Sequence, residues 1–166
     1  LMHHVATQTQ ADLGDKYQAS PADPVVQKFI NDLDRPGKKA GKGFYDYPED
    51  GEKRLWPGLA EAFPVADQQP DVEDVIKRMM YVQSVETARC IEEDVVMSPE
   101  DADVGSILGW GFAPFHGGVC SMVDSIGIED FVSECDRLAQ AHGERFTPNK
   151  MLRDMAAKGQ GYYEAA

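Results

Sequence analysis

Four basic side chains lie within eight positions of a chain that is otherwise strongly acidic. They are Arg35, Lys38, Lys39 and Lys42. Glycines at positions 37, 41 and 43 alternate with them, and the backbone N–H groups of such a loop can cradle an anion. The segment therefore predicts one of two roles. It contacts an anion such as a phosphate group, or it is a hinge or docking loop.

A second unusual stretch, residues 109–118, interleaves four glycines with three bulky aromatic side chains. Glycine permits backbone conformations that are closed to other residues, and aromatic rings bury a large apolar area. We therefore predict a structural junction, with Trp110, Phe112 and Phe115 anchored in apolar surroundings. Its defining residues are Gly109, Gly111, Pro114, Phe115, Gly117 and Gly118.

The same stretch contains a histidine that could do chemistry. His116 with the two glycines after it is similar to the oxyanion loop of lipases, but the G-x-S-x-G elbow that such enzymes need is missing around Ser121. No carboxylate is placed locally to orient the imidazole for proton transfer. We therefore expect His116 to be a loop residue that hydrogen-bonds backbone.

The sequence does not have the residue spacing of the common nucleotide-binding and calcium-binding motifs. A dinucleotide fingerprint starting at Gly109 would have Pro114 at its third glycine, and a Walker loop starting at Gly37 would have Lys42 at its second. Six acids between positions 92 and 103 lack the calcium-loop spacing and indicate a solvated helix end and a capped helix start. We therefore expect no catalytic residue, no cofactor-binding residue and no metal ligand in this chain.

The charge, the apolar runs and the cysteines of the chain limit which partners and which compartment we expect. With 16 basic and 29 acidic residues the net charge is −13, which disfavours nucleic acid and anionic membrane surfaces as partners. No apolar run reaches the roughly 18 residues of a membrane span. The three cysteines have no zinc or redox spacing and indicate buried thiols in a reducing compartment, so we expect a cytoplasmic protein.

Helix signals dominate the chain. Helices are predicted from Asp23, over 71–96, from Ser98, from Ile128 and from Thr147, the fourth with its apolar residues on one face. Residues 49–69 are polar and rich in proline and glycine, which indicates a connecting segment. The part of the chain from about residue 70 is therefore predicted to be all-α.

The basic segment, residues 35–47, closely resembles the R-x-G-x-K-x-G-x-GFY-x-Y segment of 3-hydroxyacyl-CoA dehydrogenases. Four further stretches resemble the second C-terminal helical repeat of the multifunctional α subunit of fatty-acid oxidation. They cover residues 86–93, 98–105, 109–118 and 124–127. Order and spacing agree over most of the chain. The resemblance implies an all-α helical bundle of the dehydrogenase C-terminal-domain type.

The resemblance also implies a domain plan. Residues 1–48 would be the tail of the first C-terminal helical repeat, residues 49–69 a connection, and residues 70–166 the second repeat. Family members place the catalytic His and Glu, and NAD, in a Rossmann domain that this chain does not match. The first repeat has an Asn near the substrate where Lys77 or a neighbour stands here. This departure implies that the second repeat does not touch the substrate chemically.

We accordingly expect an inactive part of a β-oxidation enzyme whose whole chain is an NAD-dependent 3-hydroxyacyl-CoA dehydrogenase with enoyl-CoA hydratase. The partners implied are the other domains of that chain, an acyl-CoA whose coenzyme A phosphates could meet the basic segment, and a second copy in a homodimer. The alternative is a non-catalytic helical assembly module.

Overall fold

The computed structural model describes residues 2–163 and divides into two compact units. The first unit takes the chain to Gln69, and the second begins at Pro70. Eight α-helices lie in the described residues, and the only strands found there are two short ones in the first unit. The prediction of an all-α protein is confirmed. None of these helices has the length and apolar character needed to cross a membrane.

The first unit is small and is built around one phenylalanine. Its elements are α1 (Met2–Leu13), α2 (Asp23–Asn31), β1 (Tyr45–Asp46), β2 (Arg54–Leu55) and α3 (Leu59–Ala62). Phe29 of α2 is 4% exposed and packs against Phe44, Trp56 and Phe63, with ring centroids 4.1, 6.2 and 5.5 Å away. Residues 49–69, predicted to be a connection, thus supply two rings of this cluster and also the strand β2.

Helix α1 has no counterpart in the sequence predictions. None of its described residues is buried in this unit. A helix without a buried face shows no apolar stripe in its sequence, which is the pattern that sequence analysis detects.

The second unit packs five helices around a continuous apolar core. They are α4 (Val72–Glu92), α5 (Pro99–Gly105), α6 (Val119–Ile126), α7 (Ile128–His142) and α8 (Lys150–Lys158). Tyr81 of α4 stacks on Phe131 of α7 at a centroid distance of 4.7 Å, and Phe131, Leu138 and Leu152 are fully buried. The apolar face predicted for the helix from Ile128 is the face that α7 buries.

Two helix ends differ from the sequence predictions, and in both the capping hydrogen bonds set the end. Helix α4 ends at Glu92 rather than near 96, because Asp94 takes a left-handed conformation and the amides of Val95 and Val96 turn back to the carbonyl of Cys90. The last helix is capped by Asn149, whose side chain accepts from the amide of Leu152, rather than by Thr147.

The cysteines pack much as predicted. Cys120 and Cys135 are buried and Cys90 is half-buried. Burial raises the pKa of the Cys135 thiol to about 12 and also raises the pKa of Cys120. A thiol with so high a pKa is not a nucleophile near neutral pH, so both act as apolar side chains.

Candidate functional site

The glycine-rich junction of the second unit is organised by one buried carboxylate. Asp103 of α5 is 6% exposed. Its oxygens accept hydrogen bonds from the amide of Cys120 at 2.6 Å, from the amide of Ser121 at 3.1 Å and from the Ser121 hydroxyl at 2.6 Å. Because the first amides of a helix have no partner within the helix, Asp103 caps α6 from outside it.

The C-terminal segment is attached to the same junction. The Tyr163 hydroxyl donates to Asp103 at 2.9 Å, and the amides of Tyr162 and Tyr163 donate to the Asp124 carboxylate, each at 2.8 Å. A Cβ at Gly161 would lie 2.6 Å from Asp124, so the backbone approaches there closely enough to require glycine. Two carboxylates of the second unit therefore hold its last described residues in place.

The sequence interpretation of Asp103 is incomplete. The pattern correctly places it in a capped helix start, but the structure also buries it and gives its carboxylate four hydrogen-bond donors. The signal of its inward position is in its neighbours, since Ala102 and Ser106 are buried on the same short stretch of helix. The donors themselves come from residues 17 to 60 positions away and leave no local signal.

The predicted glycines of the junction are not equivalent. Gly118 has φ +123°, and a Cβ there would overlap the Asp103 side chain. Gly111 and Gly117 also have positive φ, at +78° and +81°. At Gly109 the φ is not positive and a Cβ would meet no atom within 4 Å, so glycine is not structurally required there. Pro114 begins a short 3-10 turn that ends at His116.

The aromatic anchors require a correction. Phe112 is 3% exposed and belongs to the core, as predicted, but Trp110 and Phe115 are 56% and 84% exposed. The indole N–H of Trp110 donates to Gln83 at 2.8 Å. A ring at the tip of a tight 3-10 turn projects outward, which explains Phe115. One aromatic side chain, and not three, anchors the junction in the core.

His116 also differs from expectation. Within residues 2–163 its ring makes no side-chain hydrogen bond to backbone; it packs instead against Phe115 and Phe112, at centroid distances of 4.2 and 6.2 Å. The same part of the chain holds no cluster of three or more His, Cys, Asp or Glu side chains suited to a metal ion.

The basic segment of the first unit is largely committed to its own fold. The Arg35 side chain donates to the carbonyls of Gly43 and Tyr45, pairs with Asp46 and stacks over Trp56 at 4.4 Å. The Lys42 ammonium lies 2.6 Å from Asp34. Both side chains already have a carboxylate partner in the first unit, and the anion contact of all four residues stays a prediction.

Lys38 and Lys39 are the two members of the segment that stay exposed. They sit on a 3-10 turn, Lys38–Ala40, at the rim of a groove of 490 Å³. Phe29, Phe44 and Tyr47 line the apolar part of this groove. Neither lysine forms an ion pair with a described carboxylate. An anion with an apolar portion is the ligand that such a groove can accept.

Lys77 is part of a surface ion-pair network. Its ammonium lies 3.0 Å from Glu134, which also accepts from Arg137. Arg137 in turn pairs with Asp74 at 2.5 Å. The network joins the start of α4 to α7 and leaves Lys77 in a structural role.

One comparison bears directly on identity. The chain is 35% identical, over 157 residues, to the fatty acid oxidation complex subunit alpha of Idiomarina loihiensis. The resemblance found in the sequence is therefore confirmed. The match includes 92% of this chain but only 21% of that subunit, so the chain spans about a fifth of its relative's length. No protein-family model matches the chain.

The helical architecture agrees with this relationship. The second unit is an all-α bundle, as expected for a C-terminal helical domain of the alpha subunit. The segments that carry the resemblance also carry the junction: Asp103, Gly118 and Asp124 all lie within them. These stretches therefore include three of the residues that hold α5, α6 and the C-terminal segment together.

Proposed function

We propose that this chain serves as the C-terminal helical part of a fatty-acid β-oxidation enzyme. The whole polypeptide would oxidise L-3-hydroxyacyl-CoA to 3-ketoacyl-CoA with NAD, and would also hydrate enoyl-CoA. The single observation that carries the proposal is the 35% identity to a fatty acid oxidation complex subunit alpha over 92% of this chain.

The role we propose for the chain within that enzyme is support rather than chemistry. The polar groups of the junction are already hydrogen-bonded within the second unit. Asp103 accepts from Cys120, Ser121 and Tyr163. Asp124 accepts from the amides of the last two described residues. An acid or base for catalysis needs a group that is able to reach the substrate. NAD and the reacting atoms of the substrate would therefore be held by other domains of the polypeptide.

The contact with substrate that we propose for this chain is electrostatic and remote from the reaction. Lys38 and Lys39 would meet the phosphates of coenzyme A at the rim of the first unit's groove. We propose that the contact is equally strong in the ground state and the transition state, and such a contact lowers KM without changing kcat. Arg35 also lines the groove, but it already pairs with Asp46, and Lys42 already pairs with Asp34.

The test is an assay of the complete polypeptide that contains this chain. We expect oxidation of L-3-hydroxybutyryl-CoA with reduction of NAD. Lys38→Gln with Lys39→Gln should raise KM for the acyl-CoA severalfold at unchanged kcat, whereas Lys16→Gln, an exposed control in the same unit, should change neither. Absence of turnover by the complete polypeptide would reject the proposed dehydrogenase activity. Turnover with an unchanged KM would reject only the lysine contact.

The second candidate is a helical assembly module, and one observation favours it. Val72, Ile76 and Met79 share one face of α4 and are 70%, 54% and 63% exposed within the second unit. Such a stripe of large apolar side chains is typical of an association surface. We propose that it contacts either another helical repeat or a second copy of the chain. Light scattering across a hundredfold concentration range distinguishes a dimer from a single chain.

A further inference from the structure

A shallow groove on the second unit combines apolar and cationic side chains. It has a volume of 430 Å³, within the range of roughly 300–1,000 Å³ that small-molecule sites occupy. Helix α4 forms one wall, and the turn before α8 forms the other. The lining residues are Val75, Arg78, Met79, Val82, Arg145 and Phe146.

The charges of this groove are exceptional in the unit. From residue 70 onward the chain has eight Lys and Arg residues against 18 Asp and Glu residues. Five of the eight form ion pairs with described carboxylates. The three that form none are Arg78, Arg145 and Lys158, and the two arginines among them line the same groove.

The acidic residues near the two arginines either form ion pairs elsewhere or do not line the groove. Asp74, one helical turn before Arg78, is held by Arg137 at 2.5 Å and by His142 at 3.2 Å. Glu144 precedes Arg145 but does not line the groove. In an acidic protein, solvent-accessible arginines without a carboxylate partner are available to an external anion.

The floor of the groove is apolar and holds one guanidinium above it. Phe146 is 1% exposed, and the guanidinium carbon of Arg145 lies 5.2 Å from its ring centroid. Val75 and Val82 are half-buried beside it. A guanidinium binds carboxylate or phosphate oxygens with two parallel hydrogen bonds, and its position over the ring limits the freedom that binding must remove.

We propose that this groove binds an amphiphilic anion, namely an aliphatic chain that ends in a carboxylate or a phosphate. The oxyanion lies between Arg78 and Arg145, and the chain lies along Val75, Met79 and Val82. Long-range repulsion by the acidic protein acts weakly at the site, since physiological salt screens charges beyond roughly 8 Å. The proposal concerns the second unit alone and holds whether or not the function proposed above is correct.

The test uses titration calorimetry of the 166-residue protein with three probes: octanoate, octyl phosphate and octanol. We expect the anions to bind, and octanol to bind at least tenfold more weakly. Arg78→Gln and Arg145→Gln should each weaken anion binding about tenfold. Lys158→Gln, which removes the same charge from outside the groove, should leave it unchanged. Tighter binding of octanoate or of octyl phosphate would show whether the groove prefers a carboxylate or a phosphate.

Several outcomes would overturn the proposal. Octanol binding as tightly as the anions would show an apolar groove without anion recognition. An equal loss in Lys158→Gln would show a general charge effect. Anion binding that neither Arg78→Gln nor Arg145→Gln weakens would place the anion elsewhere, and absence of binding by all three probes would reject the site. If neither anion binds but light scattering shows a dimer that Arg78→Gln and Arg145→Gln dissociate, the groove is a contact between protein chains and the proposal is wrong.

Discussion

The Cα of Gly118 lies against the Asp103 carboxylate so closely that no side chain fits between them. The same carboxylate accepts hydrogen bonds from the next helix at Cys120 and Ser121. Gly118 therefore lets the start of α6 approach α5 until its unpartnered amides reach Asp103. One missing side chain and one buried carboxyl group together hold the start of α6 against α5.

This relationship predicts a large effect from a single methyl group. Gly118→Ala has to relieve an overlap with Asp103 and also adopt φ +123°, so we expect a loss of about 2–5 kcal/mol in the free energy of unfolding. The matched control is Gly105→Ala, which is helical with open space around its Cβ and should be neutral or stabilising by about 0.4–1 kcal/mol. Urea unfolding measures both, and similar small changes would contradict the account.

The two phenylalanines of the junction should behave in opposite ways. Phe112 is buried in the core, so Phe112→Ala should cost about 3–5 kcal/mol of unfolding free energy. Phe115 is 84% exposed, and Phe115→Ala should change the free energy by no more than about 0.5 kcal/mol. Thermal unfolding compares the variants directly. A large loss in Phe115→Ala would show that this ring is covered in the folded protein.

Acid should weaken the ion pairs between α4 and α7. Hydrogen bonds from Arg137 lower the pKa of Asp74 below its ordinary 3.8 and the pKa of Glu134 below its ordinary 4.5. Because these carboxylates have lower pKa values in the folded state, their contribution is complete above about pH 4.5 and is lost as the pH falls through the folded values.

The measurement is the urea midpoint between pH 6 and pH 2. We expect the midpoint to fall with pH in the natural sequence and to fall less steeply in Asp74→Asn. Glu93→Gln removes a carboxylate that forms no ion pair in the described structure and should keep the natural slope. Equal slopes in all three proteins would show that the network does not contribute to stability.

The helices of the second unit are predicted by residues that are close together in the sequence. The side chains of Asp71 and Ser98 each accept a hydrogen bond from the amide three residues later and so cap a helix. The apolar spacing from Ile128 marks the face that α7 buries. Helix α1 escapes prediction because its described residues bury no face. Sequence periodicity detects a helix through the stripe it buries, and α1 has none.

The candidate sites show what local patterns leave out. The basic segment is evident in the sequence, but its pairing is not: Arg35 is tied to Asp46 and Trp56 by a fold that only the structure shows. The role of Asp103 escapes prediction because its donors lie far along the chain. The Arg78–Arg145 groove joins residues 67 positions apart. That neither arginine has a carboxylate partner among residues 2–163 is evident only once the ion pairs there are known.

Acetoacetyl-CoA-dependent oxidation of NADH by the purified 166-residue protein tests whether this chain supports the proposed catalytic site without supplying it. We expect a folded, helical protein with no turnover above the blank, and turnover by the complete polypeptide under the same conditions. Turnover by the 166-residue protein that a substitution within it abolishes would contradict the account.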